Sequence, residues 1–179
     1  GDSSLAAVLR QIRDHGQDRR YHHARLGVNS RLDTLQAAVL LAKMDVFEGE
    51  MKKRQTVADR YAEKLSGLHG DGLLVLPHVH ADNTSSWAQY TLRVGFRDAV
   101  QVAMTKQGIP TAVHYPVPLY DQPALFQSDV DCPECDRAAD EVISLPMHPY
   151  LKLETQDRII DALTNALTAT DHLHYGEGS

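Results

Sequence analysis

The chain has 179 residues, 42% of them apolar and 23% charged, with a net charge of −6. This composition suits a soluble globular protein with a real core, of one domain or of one small domain plus part of another. The acidic balance without a concentrated basic run excludes a nucleic-acid partner, no window nears the roughly eighteen apolar residues of a membrane span, and two cysteines make no disulfide framework.

The opening Gly1-Asp2-Ser3-Ser4 has no basic region and no long apolar stretch follows, so no signal peptide is legible and a reducing cytoplasm is the default. The chain starts without Met and enters helical material almost at once, which reads as a piece of something longer. Leu5, Val8, Leu9 and Ile12 predict a helix that Gly16 stops. Residues 17–28 are polar and read as a loop. Leu32, Leu35, Val39, Ala42 and Val46 then recur at spacings of three and four, with Ser30 and Asp33 forming a capping-box pattern before them. Val57, Tyr61, Leu65 and Leu68 continue the stripe after Gly49. One long kinked helix, or two in succession, is expected.

Beyond residue 70, short strands are predicted at 73–76, 87–94, 111–115 and 143–145, where β-branched and aromatic residues concentrate. Helices are predicted at 99–107 and 137–142, and a last one capped by Thr155. The segment 116–134 reads as loop and the tail 175–179 as mobile. This order suits a small α+β sandwich with helices on an antiparallel sheet.

Four groups of residues invite chemistry. The run Arg19-Arg20-Tyr21-His22-His23-Ala24-Arg25 reads either as a solvated loop or as an anion-facing one. Asn29-Ser30-Arg31, placed at a helix start, offers an amide, a hydroxyl and a guanidinium beside free backbone N–H groups, which suits a phosphate or carboxylate; simple capping is the alternative. His114 and Tyr115, at a strand end opening into a Pro-rich loop, could reach a ligand or pack beneath the loop. Cys132-Pro133-Glu134-Cys135 has zinc-like spacing, but no second pair completes four ligands, so no metal is expected and two reduced thiols at a helix start are.

The segments 15–23 and 27–38, Gly108-Ile109-Pro110-Thr111-Ala112-Val113-His114-Tyr115-Pro116-Val117-Pro118-Leu119, and Ser144-Leu145-Pro146-Met147-His148-Pro149-Tyr150-Leu151 resemble the DegT/DnrJ/EryC1/StrS nucleotide-sugar aminotransferases, in the right order over essentially the whole chain. Their wording is most similar to the branch that aminates UDP-2-acetamido-3-oxo-glucuronic acid for cell-surface polysaccharide, including lipopolysaccharide O-antigen.

The resemblance implies an α/β protein, the C-terminal part of a pyridoxal-phosphate-dependent transferase of fold type I. Residues 1–50 would be a remnant of the large cofactor domain and the start of the connecting helix, and 51–179 the small α+β domain. It implies a homodimer with shared active sites, glutamate as amino donor, and pyridoxal 5′-phosphate as electron sink. The lysine that carries the cofactor is expected upstream, because Lys43, Lys52, Lys53, Lys64, Lys106 and Lys152 all read as surface residues. By resemblance, Asn29 reaches the cofactor phosphate of the neighbouring subunit, Arg31 contacts substrate, and His114 and Tyr115 reach the nucleotide-sugar. A non-catalytic binding or regulatory module built on the same fold is the alternative.

Overall fold

Why the chain folds as it does is clearest at the N-terminus, where short-range capping sets each boundary. In the computed structural model, which describes residues 1–126 and 129–174, the carboxylate of Asp2 accepts from the backbone N–H groups of Ser4 and Leu5. That satisfies two orphan donors and starts α1 (Ser3–Arg13). The tail expected to be mobile lies outside the described residues. Residues 17–28 are not an irregular loop, as the composition suggested: β1 (Gln17–Arg19) and β2 (His22–His23) pair antiparallel. The hairpin escapes periodicity analysis because both strands are too short to show alternation.

α2 (Thr34–Lys64) is one continuous helix of 31 residues, followed by α3 (Ser66–Gly70). Its start corrects the expected capping box. Asp33, not Ser30, caps it, accepting from the N–H of Leu35 at 2.8 Å, while the N–H of Ser30 donates to the carbonyl of Arg13 at 3.0 Å. The helix begins three residues later than the sequence pattern indicates.

The chain divides into two units, Gly1–Glu48 and Gly49–Ser179. The first has no buried hydrophobic side chain among its described residues, and the apolar stripe Leu32, Leu35, Val39 and Val46 is exposed. So short a segment cannot enclose a core of its own.

The second unit holds the core. β3 (Leu74–Val75), β4 (Tyr90–Val94) and β5 (Val142–Leu145) form an antiparallel sheet in the order β3-β4-β5. In β4, Tyr90, Leu92 and Val94 point into the core, and Thr91 and Arg93 alternate to the half-buried face. Val57 and Tyr61 of α2, Leu65 just after it, Val100 and Met104 of α4 (Arg97–Lys106), and Ile159, Leu163 and Leu167 of α6 (Leu153–His174) close over the sheet. Helices on one antiparallel sheet are the α+β arrangement the element order implied.

Three further boundaries differ from expectation. The strand expected at 111–115 is a single bridge, Ala112 with Ser144, because Pro110 and Pro116 on either side donate no N–H to a ladder. α5 (Pro133–Glu141) starts earlier than the predicted 137, with Pro133 at its first turn, where a missing N–H costs nothing. α6 begins before Thr155, as the N–H of Gln156 already bonds the carbonyl of Lys152. A 3₁₀ turn, Leu119–Asp121, interrupts the predicted loop.

Candidate functional site

In the first unit, two glycines build the platform. Gly16 has φ +74°, and a Cβ there would sit 1.8 Å from the carbonyl oxygen of Arg25. A Cβ on Gly27 would sit 2.0 Å from the nitrogen of Gly16. Only glycine lets the two backbones approach so closely. The carbonyl of Gly16 then accepts from Ala24 at 3.0 Å, closing the hairpin. On it, His22 Nδ1 lies 2.6 Å from Asp18. That hydrogen bond, with smaller help from the charge of Arg19, holds the Asp18 carboxyl below its usual range. His23 Nδ1 contacts the carbonyl of His15 at 2.8 Å. The basic run is thus an ordered, exposed hairpin.

Asn29 bridges Asp14 through its backbone, and this brings Asp14 to Arg31, whose Nη1 lies 3.2 Å from the carboxylate. Asn29, Arg31, Leu32, Asp33 and Thr34 line one open cleft of ≈ 440 Å³. An amide and a guanidinium converging on one cleft form an anion's donor set. The helix-terminus argument for this site fails in part, because Asp33 already occupies the Leu35 N–H, one of the free donors of the first turn of α2.

In the second unit, His114 and Tyr115 meet edge to face, with ring centroids 5.7 Å apart. Both line a cavity of ≈ 380 Å³ whose remaining wall includes Leu119, Gln122, Cys135 and Ala139. His114 also lines a smaller adjoining cavity of ≈ 250 Å³ with Thr111 and Ser144. The Tyr115 side chain is exposed, and the His114 side chain is half-buried. Behind them, Ser144 Oγ lies 3.4 Å from His114 Nδ1 and 2.8 Å from Thr91 Oγ1. The register that pairs Thr91 with Ser144 on β4 and β5 brings both hydroxyls to this point. A hydroxyl at Nδ1 helps orient the ring.

The four residues singled out from the sequence therefore fall into two pairs, Asn29 with Arg31 in the first unit and His114 with Tyr115 in the second. Sequence reasoning missed how these residues are supported: Asp14 on Arg31, Ser144 and Thr91 behind His114, and the Gly16–Gly27 contact. Ser144, Gly16 and Gly27 fall in the motifs that carry the resemblance, but each pairing joins residues far apart in the chain, so local spacing gave no sign of it. The six lysines, Lys43, Lys52, Lys53, Lys64, Lys106 and Lys152, are exposed; Lys53 lies 4.6 Å from the ring centroid of Tyr150. Cys132 and Cys135 are free thiols with sulfurs 2.9 Å apart. No group of three His, Cys, Asp or Glu side chains among the described residues could hold a metal, and no described helix is long and apolar enough to cross a membrane.

Comparison with known proteins gives a consistent result. Residues 1–164 match the DegT/DnrJ/EryC1/StrS aminotransferase family. The UDP-2-acetamido-2-deoxy-3-oxo-D-glucuronate aminotransferase of Pseudomonas aeruginosa is 51% identical over 164 residues, covering 92% of this chain and 45% of that protein. A crystal structure of a DegT DnrJ EryC1 StrS aminotransferase from Brucella abortus superposes with a TM-score of 0.81 at 37% identity, covering 92% of this chain and 44% of the other. NtdA from Bacillus subtilis, with bound cofactor PMP, superposes with a TM-score of 0.80 at 28% identity, covering 93% of this chain and 40% of the other. The chain spans less than half the length of the curated relatives it matches.

Proposed function

The chain belongs to the DegT/DnrJ/EryC1/StrS aminotransferase family, and on that premise we propose that it is the C-terminal part of a pyridoxal-phosphate-dependent sugar aminotransferase. The observation that carries the reading is the 51% identity to the Pseudomonas aeruginosa enzyme. The substrate we assign is UDP-2-acetamido-3-oxo-glucuronate, aminated at the keto carbon with glutamate as donor, for cell-surface polysaccharide. The parent works in the cytoplasm as a homodimer.

The residues present fit one end of the cofactor. The Asn29 amide and the Arg31 guanidinium line one cleft, and both donate to an anion such as a phosphate. Asp14 shares Arg31, so it holds the guanidinium in place and competes for its charge. When bound, the cofactor supplies the electron sink for the amino transfer. Everything this chain adds is binding and orientation. Arg31 meets negative charge, and His114 and Tyr115 offer Nε2 and a phenol to the diphosphate or sugar of the nucleotide.

The lysine that carries the cofactor lies outside this segment, and the exposed setting of all six lysines supports that. The isolated chain is therefore inactive, and the composite site is completed by the rest of the parent and by a second subunit. The test uses both species. The full-length protein should show absorbance at ~400 nm that borohydride abolishes, and should aminate the keto-sugar nucleotide from glutamate. The 179-residue chain should show neither. Borohydride-sensitive absorbance in the isolated chain would overturn the division of labour. Its absence from the full-length protein would favour a regulatory relative.

A further inference from the structure

We propose that Cys132 and Cys135 are a reversible dithiol–disulfide site, and that closing it reshapes the cavity lined by His114 and Tyr115. Cys132 stands at the N-cap of α5 and Cys135 three residues on, the spacing at which side chains face each other across a helix's first turn. Pro133 between them biases the preceding residue to extended backbone, and Cys132 has φ −142°. The two sulfurs lie 2.9 Å apart, so a bond of ~2.05 Å needs an approach of only about 0.9 Å. Cys135 is exposed and Cys132 half-buried, so a small oxidant has access.

The coupling to the cavity is direct. Cys135 is part of its wall, beside Leu119 and Gln122. The hydroxyl of Tyr120 donates to the Asp136 carboxylate and lies 3.4 Å from the carbonyl of Cys132. Tyr120 belongs to the turn Leu119–Asp121, so this turn is tied to the same helix start that the disulfide would tighten. Drawing Cys132 and Cys135 together moves both the wall residue and the anchor of the neighbouring turn. The inference stands whatever the cavity holds.

The chemistry balances with a low-molecular-weight disulfide as oxidant. One cysteine thiolate attacks a sulfur of oxidised glutathione and releases one glutathione thiolate, leaving a mixed disulfide. The second cysteine attacks that cysteine's sulfur and releases the other glutathione. Two protein thiols lose two electrons and two protons, and one glutathione disulfide becomes two thiols.

The test exposes the full-length protein to oxidised glutathione, then follows intact mass and amide hydrogen exchange. The expected product has lost two hydrogens, mapped to the peptide holding both cysteines, and dithiothreitol restores it. Cys132→Ser and Cys135→Ser should each stop at a glutathione adduct or stay unreacted. Exchange across 117–122 should change by about threefold or more on oxidation of the unsubstituted protein. Two thiols that survive excess oxidised glutathione overturn the site. A disulfide that leaves exchange in 117–122 unchanged overturns the coupling. The unsubstituted protein alone decides both, should either Ser variant fold poorly.

Discussion

Two buried tyrosines offer a test in which the same chemical change should act with opposite sign. Tyr61 is fully buried and its hydroxyl donates to the carbonyl of Pro146 at 3.0 Å, tying α2 to the Ser144-Leu145-Pro146-Met147-His148 segment. Tyr90 stacks on it with centroids 4.9 Å apart, is equally buried, and its hydroxyl has no hydrogen-bond partner among the described residues. Tyr61→Phe keeps the ring and the stacking but removes the bond and leaves the Pro146 carbonyl without its donor. A net hydrogen bond is worth ~1 kcal/mol, and an orphaned buried partner adds to the loss, so a decrease of about 1–2 kcal/mol is expected. For a unit of this size that lowers Tm by roughly 3–8 °C. Tyr90→Phe removes a hydroxyl that is desolvated without compensation, so it should be neutral or stabilising by up to ~1 kcal/mol. Urea unfolding, with unchanged denaturant dependence in both variants, measures the difference. Equal destabilisation by the two substitutions would refute the reasoning, because it would mean that ring packing and not hydroxyl pairing sets the effect.

The same pair gives an alkaline transition. Burial pushes Tyr90 up to about 12 from 10.0 and Tyr61 further still. Folded values above unfolded ones contribute stability that is whole below pH 10 and lost as pH rises through about 12. Ultraviolet titration should therefore find these two phenols ionising only together with unfolding. In the full-length protein, His114→Ala should raise KM for the nucleotide-sugar about 10- to 100-fold with little change in kcat, the equivalent of ~1.5–3 kcal/mol for one contact to a charged group; an unchanged KM in steady-state assays removes His114 from the site. Asn29→Ala should weaken cofactor retention during dialysis by a similar factor and Arg31→Ala should raise KM for substrate, while Asp14→Asn, which frees Arg31 from its partner, should do neither. Gly16→Ala places a methyl against the Arg25 carbonyl, so limited proteolysis within 17–25 should accelerate clearly; an unaltered cleavage pattern would show the backbone can relax there.

Much of the second unit is legible from spacing alone. Val57, Tyr61 and Leu65 recur at helical intervals and are buried, and Tyr90, Leu92 and Val94 alternate and are buried. Apolar periodicity is local, so it survives any tertiary context. The motifs around Asn29, His114 and Ser144 likewise carried the family resemblance without a structure, because they are runs of consecutive residues.

What only the tertiary structure decided is partnership. Leu35 and Val39 follow the same helical rule as Val57 and Tyr61, yet they are exposed, because burial depends on what a face meets and not on its own pattern. Ser30 and Asp33 read in sequence as a capping box, with Ser30 as the cap. In the structure the Ser30 N–H pairs with the carbonyl of Arg13, and Asp33 caps the helix instead. His114 and Tyr115 read in sequence as a pair at a strand end, but the register of β4 against β5 puts Ser144 and Thr91 behind His114. Sequence determines which segments curl or extend and which chemistry they carry, since those are properties of neighbours along the chain. The pairings of Arg31 with Asp14 and of His114 with Ser144 join residues 17 and 30 positions apart, and only the folded backbone sets those distances.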